Sequence, residues 1–249
     1  MFVERSGSRA NTQGIDTQSS PISVALGQNA AAGSLLVLAV QISDPVNAPT
    51  DTQSNTWTLA FWDATNGYGY YYAENVAAGA TTVSISWPSG TRAYPTIYLT
   101  EFTYDESVAI VVDDSSINSG SGSPGTAGTL TPAGDGALFH THITKVTGPG
   151  SGMVADSPFT KYDTFGSQWL GAAFYIQTTA AALNPSFSWT DAATWNMSGI
   201  ILREAAGGGA AVRRRREFVS LAFLTAPAVE AFGRIFARRD RGLLAPVGA

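Results

Sequence analysis

Slid by 102 residues, the chain meets a weaker copy of itself. The stretch GYGYYYAENVAAGATTVSISWPSGTRAYPTIYLTEFT falls on WLGAAFYIQTTAAALNPSFSWTDAATWNMSGIILRE. Gly69 meets Gly171, Ser84 meets Ser186, Ser86 meets Ser188 and Trp87 meets Trp189. Upstream, Leu36 meets Leu138, Trp57 meets Phe159 and Thr58 meets Thr160. Self-similarity at a fixed period means two copies of one structural unit. Within each copy, short alternating stretches such as Thr81–Trp87 and Pro95–Phe102 are parted by Gly-rich turns, the pattern of β-strands.

Composition fits a packed β protein. Apolar residues make up 44% and charged residues 13%, with 26 glycines for turns. There is no cysteine, so disulfides and thiolate metal sites are both excluded. No window approaches eighteen consecutive apolar residues, so no membrane span is expected. The opening MFVERSGSRANTQG lacks the apolar core of a secretory signal, which fits synthesis in a cytoplasm. The net charge of −5 hides a split. Residues 1–204 carry 6 basic and 16 acidic groups, net −10, whereas residues 205–249 carry 8 Arg and 3 acids, net +5. An acidic body and a basic tail are two electrostatic objects on one chain.

Read in order, residues 1–20 are a polar N-terminal arm. Residues 21–112 form a first unit, with strands at Pro21–Leu26, Ser34–Ile42, Trp57–Trp62, Gly67–Ala73, Thr81–Trp87 and Pro95–Phe102. Residues 113–128 (DDSSINSGSGSPGTAG) read as a Ser/Gly linker. Residues 129–204 form the second unit. The nearly continuous apolar run Ser34–Ile42 needs cover on both faces. We therefore expect an all-β fold: an antiparallel, jelly-roll-like β-sandwich built from two pseudo-repeats, either fused so that sheets are shared across a pseudo-twofold, the form we prefer, or standing as two small sandwiches.

From Ala205 the composition changes. AAGGGAA is a hinge, and Arg213, Arg214, Arg215 and Arg216 follow as one run. Val229, Phe232, Ile235 and Phe236 recur at helical spacing, and Arg238 and Arg239 lie in the last turn, where the helix dipole favours cations. Residues 205–249 thus read as a basic amphipathic helical tail on a tether. Its arginine run and apolar stripe are candidate partner-docking residues, suited to an acidic protein surface. One four-Arg cluster is weak ground for nucleic acid.

Little in the body announces a reaction, and no enzyme is expected. A paired-carboxylate hydrolase needs two carboxyls on one cleft. Glu101 reads instead as a solvated strand edge, and its repeat position is Arg203. His140 and His142 stand two apart in a strand and share a face. With no third histidine in the chain they read as structural, and no metal or cofactor is expected. The oxygen-rich loops around Asp51 and Asn55 and at Asp113 and Asp114 lack EF-hand spacing. There is no G-x-S-x-G elbow. The densest aromatic group is Trp57, Trp62, Tyr68, Tyr70, Tyr71 and Tyr72. Trp57, Trp62, Tyr70, Tyr71 and Tyr72 are the glycan-stacking candidates. The competing reading is that alternate rings fill the core. Alternation through Tyr70–Tyr72 predicts at least one exposed ring.

The pattern AAGSLLVLAVQI, DTQSNTWT, YYAENVAAGATTVSISW and YPTIYLTEF resembles a recurring β-sandwich type of bacteriophage virion proteins and large bacterial surface proteins. The resemblance covers about residues 22–204 and implies a jelly-roll or lectin-like structural or adhesive module. It implies as partners other virion proteins, copies of the same chain and, in the adhesive reading, a host surface glycan. The missing secretion signal and the basic tail favour the virion reading: a head decoration, fibre or tail accessory module made in the host cytoplasm. The alternative is a carbohydrate-binding module using the Tyr/Trp group.

Overall fold

A computed structural model describes residues 1–13, 17–43, 46–88, 90–146, 152–162 and 169–205. Among them every strand pairing is antiparallel and there is no helix. The strands of the first repeat begin with β1 (Val3–Gln13), β2 (Thr17–Ser19), β3 (Ile22–Ala25), β4 (Leu35–Gln41) and β5 (Thr50–Asp51). They continue with β6 (Thr58–Asp63), β7 (Tyr68–Ala73), β8 (Thr82–Ile85), β9 (Thr91–Ala93) and β10 (Thr96–Thr103). The second repeat contributes β11 (Ile110–Ser121), β12 (Gly125–Thr126), β13 (Ala137–Lys145) and β14 (Val154–Ala155). It ends with β15 (Thr160–Lys161), β16 (Leu170–Gln177), β17 (Ser186–Ser188) and β18 (Thr194–Glu204).

The repeat is real at the level of topology. One five-stranded sheet runs β1-β10-β4-β7-β6 and the other β11-β18-β13-β16-β15, the same order of equivalent strands. Each repeat adds a three-stranded sheet, β3-β8-β5 or β12-β17-β14. Trp87 and Trp189 are both buried, and in each the backbone N–H donates to a serine hydroxyl, Ser20 or Ser123, at 2.9 Å.

Alternation along the strands sorts the core into three layers. In β4, Leu35, Val37 and Ala39 point into a central cluster, while Leu36, Leu38 and Val40 point into a cluster shared with Val24, Val83 and Trp87. In β13 the residues facing the central cluster include Leu138, while Ala137, Phe139 and Ile143 join Phe187 and Trp189. The central cluster mixes Tyr70, Tyr72, Tyr98 and Phe102 of the first repeat with Ala172, Phe174, Ile200 and Leu202 of the second. The two large sheets therefore cover each other, and each small sheet covers the far side of its own large sheet.

Three expectations need correction. No sheet is shared between the repeats among the described residues; they join face to face. The supposed Ser/Gly linker is mostly β11, a twelve-residue edge strand hydrogen-bonded to β18. Its outer half carries Ser, Asn and Gly because an edge facing water needs no apolar side chains, and strand pairing overrides weak local propensity. The polar arm is largely β1, the corresponding edge of the first sheet. The hinge beyond Ala205 and the whole tail, with its docking residues Arg213–Arg216, Val229, Phe232, Ile235, Phe236, Arg238 and Arg239, lie outside the described residues.

Candidate functional site: the polar cluster between the large sheets

The chemistry-bearing side chains singled out by sequence lie mostly inside the body. Tyr68, Tyr70, Tyr71 and Tyr72 are all buried. The expectation of an exposed ring assumed one sheet face open to water. Here β7 lies between two clusters, with Tyr70 and Tyr72 in the central one and Tyr71 in the outer one. Trp57 and Trp62 are half-buried against that outer cluster, and the Trp57 indole donates to Asp51 at 2.7 Å. Tyr70, Tyr71 and Tyr72 thus have no face free to stack a sugar, and the five glycan-stacking candidates do not form a surface platform.

His140 and His142 do share a face, the one turned to the first repeat. Both are 0% exposed. The Tyr70 hydroxyl lies 2.9 Å from His142 Nδ1 and donates to the Ser198 carbonyl at 3.0 Å. A hydroxyl has one proton, so the Nδ1–H of neutral His142 is the donor to Tyr70. The Tyr162 hydroxyl meets His140 Nε2 at 2.6 Å. Tyr68 stacks on His142 with ring centroids 4.7 Å apart and its hydroxyl donates to the Asn196 carbonyl. The second nitrogens, His140 Nδ1 and His142 Nε2, are buried without a hydrogen-bond partner. Burial pushes His140 down to about 3, and burial with the neighbouring His140 holds His142 well below the usual imidazole range. Burial pushes Tyr68 and Tyr70 well above the phenol range. The cluster is a neutral, water-excluded set of hydrogen bonds, with Tyr68 and Tyr70 reaching from one repeat to the other.

Glu101 corrects a further expectation. It is 0% exposed, not a solvated edge. Between Glu4↔Phe102 and Arg9↔Thr100, β1 bulges so that four residues oppose Glu101. Arg5 of that bulge reaches both carboxylate oxygens at 2.8 Å, and Ser8 donates to one of them. Ala31 N–H and Ser34 Oγ add bonds of 2.7 Å. Burial pushes this carboxyl up, but the donors together hold it below its ordinary value. In the second repeat β11 bulges at Asp113, and Arg203 of β18 grips it with bonds of 2.7 and 3.0 Å. Each repeat thus ties its bulged edge strand to the sheet by an ion pair, though by register Ile201, not Arg203, stands where the first repeat has Glu101.

The loop carboxylates are similarly occupied. Asp51 accepts bonds from Gln53, Asn55 and Trp57, and Asp114 from Ser115 and Thr131. Among the described residues no group of three or more His, Asp or Glu is placed to hold a metal ion. No family model, curated protein or solved structure matches the chain.

Proposed function

We propose that the chain is a phage-like virion structural protein, a head decoration, fibre or tail accessory module assembled in the host cytoplasm. Its body would be a jelly-roll-like sandwich pair and residues 205–249 its anchor. The observation that carries this reading is the face-to-face union of the repeats. The histidines, the tyrosines and Glu101, the groups best suited to chemistry, are consumed in holding sheets and edges together. A block of that kind suits mechanical duty. The glycan alternative, as placed on Trp57, Trp62 and Tyr70–Tyr72, would need rings that the body keeps inside.

The tail supplies the attachment. Its net charge of +5 opposes the −10 of residues 1–204, so an acidic surface, including a neighbouring copy of the body, attracts it. The test compares full chain with residues 1–206 by sedimentation velocity and thermal melting. The full chain should sediment as an oligomer, and the shortened chain as a monomer with an unchanged melt. Identical sedimentation of the two chains would refute the anchor.

A further inference from the structure

The two repeats build the same fold with different residues at one end of the large sheet, and the difference is chemically one-sided. In the first repeat the Ile42 N–H donates to the Gly67 carbonyl at 2.8 Å. In the second the equivalent bond, 2.7 Å, runs from Lys145 N–H to the Trp169 carbonyl. Lys145 therefore stands where the first repeat buries Ile42, and Trp169 where it has Gly67. Across the sheet Lys145 faces Trp195, while one step beyond Gln41↔Thr96 brings Ile42 opposite Pro95. Gly67 has φ +70, and a Cβ there would meet the Ile42 carbonyl at 2.2 Å, so the first repeat could not accept a tryptophan without moving its backbone. The fold itself needs none of Lys145, Trp169 or Trp195, since the first repeat does without them.

What the second repeat gains is donors without acceptors. Lys145 is 2% exposed, and its Nζ lies 5.9 Å from the Trp169 ring centroid and 5.7 Å from that of Trp189. Nζ has no hydrogen-bond partner, and neither do the buried indole nitrogens of Trp189 and Trp195. In the first repeat the matching Trp87 indole does have one, the Gly90 carbonyl at 3.1 Å. A buried ammonium held only by ring faces and a distant attraction to Asp191 is incompletely satisfied. Of the rings around it Trp169 is 40% exposed, and Val146, next to Lys145 in the chain, is 56% exposed.

We propose that this end of the second repeat binds a carboxylate-bearing saccharide, one pyranose ring stacking on Trp169 while its carboxylate displaces the edge of that indole and pairs with Lys145. An acceptor-rich anion answers the unmet ammonium, and a flat indole of this size suits one sugar ring better than a peptide, which needs a strand edge or successive pockets. The site is distinct from the Tyr/Trp group of the first repeat and independent of the anchoring tail.

The test is titration of the full chain with methyl glucuronide and with the methyl glycoside of N-acetylneuraminic acid, read by tryptophan fluorescence and calorimetry. Methyl glucoside, sodium acetate and a short peptide with a free C-terminus are the comparisons. At least one acidic sugar should bind ten or more times tighter than each comparison probe. Lys145→Ile, which copies the first repeat, should abolish that advantage, and Trp169→Ala should weaken binding at least tenfold. Lys145→Met serves equally if Lys145→Ile fails to fold. Absence of binding by both acidic sugars, equal binding of acetate or of the peptide, or full retention by a folded Lys145 variant would overturn the proposal.

Discussion

At the scale of single residues, the body hides the groups that a sequence reader would place on its surface. Glu101→Gln keeps one acceptor oxygen but removes the charge that Arg5 was built to meet. The loss in denaturant unfolding should be about 3 kcal/mol, the low end for breaking a buried ion pair. The buried histidines make a sharper forecast. Their folded-state affinity for protons is depressed, so below pH ~6.5 the unfolded chain binds protons that the folded one refuses. Stability should fall as pH drops from 6.5 toward 3, by about 1.4 kcal/mol per histidine per pH unit. Glu101, also depressed, contributes above its ordinary value and adds to the loss only below pH ~4.5, so the slope between 6.5 and 4.5 belongs to the histidines. A folded His140→Gln/His142→Gln chain should be flat in that interval when melted across a pH series. An unchanged slope would assign the acid limb elsewhere.

At the scale of elements, much was legible and the errors have physical causes. The long strands β4, β7, β10, β13, β16 and β18 announced themselves, β4 by a nearly continuous apolar run that burial on both faces allows, β10 by alternation between Gly-rich turns. The Ser/Gly edge β11 did not, because its strand character comes from β18 and not from its own side chains. The repeat was visible, yet a uniform shift of 102 residues is out of step by one residue between β4 and β13, and by two between β10 and β18, where Thr96 opposite Gln41 matches Asn196 opposite Thr144. It sets Leu36 on Leu138, but Leu36 faces its own small sheet and Leu138 faces the other repeat. The hydrogen bonds of Ile42 and Lys145 give the true shift there, 103. A one-residue slip exchanges the two faces of a strand, which is why sequence could not foresee that the histidines turn toward Tyr70. Trp87 and Trp189 do obey the 102-residue shift. Each changed to Ala should lose about 3–5 kcal/mol in denaturant unfolding, and a loss below 1 kcal/mol at either would break their equivalence.

At the scale of the whole molecule, the two repeats behave as one block. The central cluster draws on both, and the Tyr70 hydroxyl ties β7 to the Ser198 carbonyl of β18 and the His142 ring of β13. Tyr70→Phe removes that hydroxyl and leaves His142 Nδ1 with only Ser198 Oγ at 3.3 Å, so it should cost about 1–3 kcal/mol in thermal or denaturant unfolding. The most direct measurement is native-state hydrogen exchange on the full chain, comparing amides of Leu38 and Tyr71 with those of Phe139 and Ala173. If the repeats are locked together, all four amides open only with the whole body, at one common free energy equal to that of global unfolding. Exchange of one repeat's amides at a distinctly lower free energy, while the other's stay protected, would contradict the account.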